Sequence, residues 1–219
     1  MELFERIKTL LFNPKEEWTI IEAENAHHSK VVVGHLLILA LIPAVAIFVN
    51  HYWTWTEALA KATEPYSRNG VISPEIIERI KAQFPFDAKM GIIWAVQQLI
   101  LILGGAYIAA VVINALSDQF GSAKDFDRTF SLVAYSYTPL CIAGILYIYN
   151  PFAWLVPYAG LYGLYLLYTG LDIQLKPPAE KRTVCFIISL IAVIAVWVIL
   201  SKIIPQITAS ILADRKSVV

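Results

Sequence analysis

Charge is scarce in this sequence. Only 16% of its 219 residues are Asp, Glu, Lys or Arg, and the 17 basic residues cancel the 17 acidic ones. A net charge of zero leaves no basic excess for nucleic acid and no acidic solvated arm. No nucleic-acid partner is expected. Cysteine is nearly absent: Cys141 and Cys185 lie in apolar stretches without C-x-x-C spacing. That excludes a disulfide framework and a thiolate zinc site, and leaves two small buried residues. The signatures of soluble enzymes are missing too. There is no G-x-S-x-G, P-loop, H-E-x-x-H or Rossmann glycine pattern, so neither an enzyme nor a cofactor is expected. The first eleven residues, MELFERIKTLL, mix charges with apolar residues and lack the uninterrupted apolar core of a cleaved signal. The first apolar run is therefore expected to act as an uncleaved insertion signal.

What fills the chain is oil: 58% of it is hydrophobic, against about 45–50% in soluble domains. Crossing a hydrocarbon core of ~30 Å takes about 20 apolar residues in a helix. Runs of that kind occupy about 31–50, 90–116, 129–149, 152–171 and 183–204. Lipid offers no partner to the backbone, so these runs are helices; a barrel would show short alternating segments. The expected fold is all-α: a polytopic five-helix transmembrane bundle over 31–204. Only Asn150 and Pro151 separate the third and fourth runs, which makes them an antiparallel hairpin. A buried pair that re-enters without crossing is the alternative.

The segments outside the membrane have their own pattern. In 1–30, Leu3, Phe4, Ile7, Leu10 and Leu11 recur at helical spacing among Glu2, Glu5, Arg6 and Lys8, giving an amphipathic interfacial helix. Asn13, Pro14 and Glu16 start a second one, whose Trp18 and Ile21 would face the same interface. In the loop 51–89, Ser73 and Pro74 open a surface helix with Ile76, Ile77, Ile80 and Phe84 on one face, stopped by Pro85. Residues 205–219 form a tail. Lys and Arg number nine in the segments that share a side with the N-terminus and eight in the others. The uncharged turn at Asn150 suits the outside and Lys181–Arg182 the inside. This places the N-terminus in the cytoplasm and the C-terminus outside it.

Three stretches carry a resemblance: NPKEEWTIIEAE (Asn13 to Glu24), AYSYTPL (Ala134 to Leu140) and LYGLYLLYTGL (Leu161 to Leu171). With the five-run topology they resemble the bacterial branch of the Yip1-domain family of membrane proteins. The resemblance implies a compact five-helix bundle with a cytoplasmic N-terminus, in a bacterial inner membrane. Eukaryotic relatives are associated with Rab GTPases and vesicle traffic. This chain lacks their long cytoplasmic region and their aspartate–leucine–tyrosine–glycine–proline run, so GTPase binding does not carry over.

Polarity at membrane depth asks for a partner or a role. Tyr135, Ser136, Tyr137, Thr138 and Pro139 form the first candidate, because Pro139 frees the Tyr135 carbonyl for a hydroxyl, a water or a cation. Repair of a local kink by the neighbouring hydroxyls is the structural alternative. Tyr158, Tyr162, Tyr165 and Tyr168 share one face of the fourth run, as a polar seam or as packing. Asp118, Asp125, Asp127 and Asp172 sit at one membrane side, as oxygen ligands for an ion or as exposed loop carboxylates. Glu22, Glu24, His27 and His28 give a weak metal signal, with Glu24 and His28 four apart and Asp118 as a further ligand; solvated polarity is the alternative. His35 would snorkel toward that surface. Gly104, Gly105, Ala106, Ala109 and Ala110, with Ala159 and Gly163, offer small-residue faces for close helix packing, within one bundle or between copies. Gln97 and Gln98 precede the first of these faces.

Two functions fit. One is a non-enzymatic membrane component in the lipid bilayer, organising other membrane proteins or membrane homeostasis. The other is a small transporter or channel for a divalent cation, a proton or a small solute. In it Tyr135, Tyr137, Pro139, Tyr162, Tyr165, Gln97, Asp118 and Asp172 would line a route, preferably in a homo-oligomer.

Overall fold

The computed structural model describes residues 2–68, 73–83, 85–122 and 124–217, and no strand occurs among them. Two short helices, α1 (Leu3–Phe12) and α2 (Pro14–Glu24), form a hairpin at the N-terminus. Pro14 takes the first turn of α2, where its missing N–H is harmless. Asn25, at φ 40° in the left-handed region, ends that helix. The chain then enters α3 (His28–Val31), a π-helical turn (Val32–Leu36) and α4 (Leu37–Arg68). A surface helix, α5 (Pro74–Gln83), precedes α6 (Ala88–Leu116), whose N-terminus the Asp87 carboxylate caps through Lys89 and Met90 N–H. Asp125 caps α7 (Phe126–Ser136) in the same way through Arg128 N–H.

After a break at Tyr137 the chain continues as α8 (Thr138–Ala143) and two 3₁₀ segments. It turns back as α9 (Val156–Gln174) and ends in α10 (Arg182–Ser217). The segment expected as a tail after 204 continues α10. On α5, Ile80 is buried and Ile77 half-buried; Phe84 and the Ile76 side chain lie outside the described residues.

Among the described residues, four stretches are long and apolar enough to cross a membrane: His28–Glu64, Ala88–Gln119, Phe126–Ile148 and Ala179–Ser210. The fifth expected run is not among them, which corrects the count of five apolar spans. Its helix, α9, has 19 residues and includes Tyr158, Tyr162, Tyr165, Tyr168, Asp172 and Gln174, which dilute its apolarity. It still carries the chain from one end of the bundle to the other. Ile148, just before it, accepts a hydrogen bond from Asn50 near the far end, while Lys181, just after it, donates to the Gln119 carbonyl at the near end.

α7 is the centre of the bundle. Every residue from Thr129 to Ser136 is buried. Two of its hydroxyls turn back on their own helix, Thr129 donating to the Asp125 carbonyl and Ser136 to the Leu132 carbonyl. The apolar stretch of this span is 56% buried, against 22% in α10. α10, facing lipid most, must be the oiliest; α7, wrapped by protein, can hold hydroxyls. α6 packs through Gly105, Ala106, Ala109 and Ala110, all buried, so this small-residue face is used inside the bundle. Gly163 of α9 meets the Ser136 carbonyl so closely that an added Cβ would lie 2.6 Å from it. At the far end Trp53, Trp94, Tyr149 and Trp154 are all exposed, as an aromatic girdle at a membrane surface requires.

Candidate functional site

The N-terminal hairpin stands along α9. Tyr162 donates to the Leu11 carbonyl at its tip and Gln174 to the Trp18 carbonyl nearer its base. Those two contacts are twelve positions apart on α9, about 18 Å of helix. Trp18 and Ile21, expected to face the interface, face the bundle instead. Trp18 is fully buried, edge-on to Tyr135, and lies where a Cβ on Gly170 would fall 2.4 Å from the indole. The outward face of α1 belongs to Phe4 and Phe12, exposed to 72% and 77%.

Beneath the hairpin lies a buried polar cluster. Arg6 donates to Tyr135 Oη at 2.8 Å, pairs with Glu24, and brings Nε to 3.3 Å from the Glu17 carboxylate. Glu17 is fully buried, and its oxygens have no hydrogen-bond donor among the described residues. The Arg6 contact is thus one of charge without hydrogen-bond alignment. Burial pushes the Glu17 carboxyl above its ordinary value, only partly opposed by Arg6. Glu24 goes the other way, held down by its hydrogen bond to Arg6 against its own partial burial. Burial alone would lower the Arg6 pKa, yet bonds to Glu24 and Tyr135 carry it above the usual guanidinium value.

The π-helical turn completes the cluster. A π turn widens a helix by one residue and re-aims a side chain, often where function requires it. Here it turns His35 inward, so that the side chain expected to snorkel is 2% exposed. Its Nε2 lies 2.9 Å from Thr138 Oγ1, and its ring packs against Tyr135 at 4.4 Å between centroids, tilted by 51°. A hollow of about 210 Å³ opens between Arg6, Glu24, Lys30, Gly34, His35 and Tyr135.

A second hollow, about 320 Å³, lies on the other side of α7. Leu101, Val133, Leu140, Leu167, Ile194 and Trp197 dominate its wall, with Gln98, Ser136 and Tyr137 as polar members. The candidate route residues are therefore divided. Tyr135 belongs to the polar cluster, Tyr137 to the apolar hollow, and Tyr162 to the hairpin contact. Tyr165 is 45% exposed on the outer face, as are Tyr158 and Tyr168. Asp118 pairs with Lys124 and Asp172 with Arg182 at the near end. Pro139 opens α8, and Gln97 is half-buried on α6.

The weak metal candidates are also separated. α2 ends at Glu24, so His28 does not share its helix. Glu22 bonds Arg128 and Lys176, and the Lys176 bond foremost holds its carboxyl below the ordinary range. His28 bonds Asp127 instead, at 2.7 Å through Nδ1.

This architecture of a hairpin docked on a helical membrane bundle agrees with a comparison of the sequence to known families. The family model of the Yip1 domain matches residues 8–200. The chain belongs to the Yip1-domain family. No curated protein and no solved structure matches it. The Yip1 domain defines a membrane family not known as enzymatic. In this Yip1-domain chain Glu17, Glu24, His35, Tyr135 and Thr138 lie within the matched range, and Arg6 just ahead of it.

Sequence reasoning noticed Tyr135 and Glu24 but missed Arg6 and Glu17. A signal was present. Arg6 sits on the stripe of Leu3 and Leu10, and Glu17 on that of Pro14, Trp18 and Ile21. A charge on the apolar stripe of an amphipathic helix either disrupts burial or meets its counter-charge there.

Proposed function

We propose that this Yip1-domain protein is a non-enzymatic organiser of other membrane proteins, sited in a bacterial inner membrane with its N-terminus in the cytoplasm. The observation that carries this reading is the docked N-terminal hairpin. Arg6, buried against Tyr135 and paired with Glu24 at the surface, and Trp18 fix it to α7 and α9, and it presents Phe4 and Phe12 outward. A segment held this firmly is a preformed surface, and a preformed surface loses less conformational entropy when a partner binds. The orientation rests on the Lys/Arg pattern of the connecting segments.

The transport reading has one observation in its favour, the 320 Å³ hollow that Tyr137 and Gln98 reach. Against it stands the dispersal of the other candidate residues among surface pairs, the outer face and the hairpin. Reconstitution into proteoliposomes loaded with proton- and divalent-cation-sensitive dyes separates the two. Flux equal to that of empty vesicles is expected for the wild type, Tyr137→Phe and Asp118→Asn. Wild-type flux that either substitution abolishes would overturn the organiser reading.

A further inference from the structure

We propose that His27, His28 and Asp127 form a binding site for a divalent transition-metal ion of the zinc class, at the end of the bundle where the N-terminal hairpin joins α3. Two segments 99 positions apart in sequence bring these side chains together, and one ligand atom from each lies within 4.8 Å of the other two. The two imidazole rings sit 4.1 Å apart between centroids. Asp127 Oδ1 accepts from the His28 backbone N–H at 2.8 Å and meets His28 Nδ1 at 2.7 Å. The carboxylate is thereby held in place before any ion arrives. Ser29 positions the His27 ring from one side, with Oγ 2.9 Å and the backbone N–H nitrogen 3.4 Å from Nδ1.

The donor set selects the ion. Two imidazoles and one carboxylate suit zinc, nickel or copper, whereas magnesium and calcium call for oxygen throughout. Three protein ligands leave the remaining position to water. Ligand distances of about 2.0–2.2 Å in a tetrahedron set neighbouring donors roughly 3.4 Å apart. The 2.7 Å His28–Asp127 pair must therefore open by less than an ångström as the ion replaces the proton between them. Phe126, Phe130 and Tyr107 wall the His28 ring at 5.2–6.4 Å, shielding one side from water while His27 remains exposed. An ion here would tie the α2–α3 junction to the first turn of α7, the helix around which the bundle is built.

Calorimetric titration of Zn²⁺ into the chelator-stripped, detergent-solubilised full chain tests the site, with Co²⁺ absorption reporting the ligands. One Zn²⁺ per chain is expected, with visible Co²⁺ bands of low-symmetry nitrogen–oxygen coordination. His27→Ala and His28→Gln should each weaken Zn²⁺ binding by about tenfold or more, a loss of the size that ligand-shell changes cause. Asp127→Asn, whose amide oxygen can still accept from the His28 N–H, separates ligation from folding. It should weaken Zn²⁺ binding while leaving the circular dichroism and elution volume unchanged. Zn²⁺ affinity unaltered in a His27→Ala/His28→Gln double variant, or no binding by the wild type, would overturn the proposal.

Discussion

Two hollows, of about 210 and 320 Å³, flank the same helix and are opposites in chemistry. Tyr135 faces one and Tyr137 the other, two positions apart across the break at the start of α8. The smaller gathers Arg6, Glu24, Lys30 and His35 under the hairpin; the larger is walled almost wholly by apolar side chains. In the first, geometry is set by charge pairs whose members are costly to bury alone. In the second, it is set by dispersion and shape alone. The same volume of missing protein should therefore be felt very differently on the two sides.

Removing the cation should break the comparison most severely. Arg6→Ala leaves Glu17 fully buried without its counter-charge, and breaking a buried pair from one side typically costs about 3–5 kcal/mol. Thermal unfolding in detergent should show that loss, and hydrogen exchange should rise over 3–24 before it rises in α6 or α10. Unchanged protection there would mean that the cluster does not hold the hairpin.

Glycine substitutions sharpen the contrast. An added methyl at Gly170 meets the Trp18 indole at 2.4 Å, whereas one at Gly160, facing the apolar hollow, finds Leu140 at an ordinary 3.7 Å. Gly170→Ala should therefore destabilise the hairpin by about 1–3 kcal/mol through overpacking. Gly160→Ala should be near neutral in the same melt.

Acid acts on the charged side alone. Glu22 and Glu24 have folded-state pKa values below the ordinary 4.5, so their stabilisation is present above that value and is lost as pH falls through the depressed ones. Hairpin protection should fall below about pH 4.5, with the α10 amides unaffected over the same range.

Glu17 should give the smallest and most telling effect. Its raised pKa means that its contribution is complete below the ordinary value of 4.5 and is lost as pH rises through the folded-state value. Glu17→Gln, which keeps the shape without the charge, should change neutral-pH stability by less than about 1 kcal/mol. It should also flatten the decline of stability as pH rises above the ordinary carboxyl value. A loss as large as that of Arg6→Ala would show that the carboxylate charge is needed.

The helical membrane character of this chain was written in one-dimensional pattern. Run length against bilayer thickness, the Asn150–Pro151 turn and Pro14 are all local quantities, and each sets an element where it stands. The count of apolar spans went astray at α9, because tyrosines lower its apolarity while its neighbours still carry it through the bundle. What only the tertiary structure decided is which polar groups meet. Arg6 and Tyr135 are 129 positions apart, His35 and Thr138 103, and His28 and Asp127 99. Periodicity names the face of a helix on which a charge lies; it does not say what that face packs against. That depends on the docking of the hairpin along α9 and on the π turn that swings His35 inward, and both follow from contacts between distant segments.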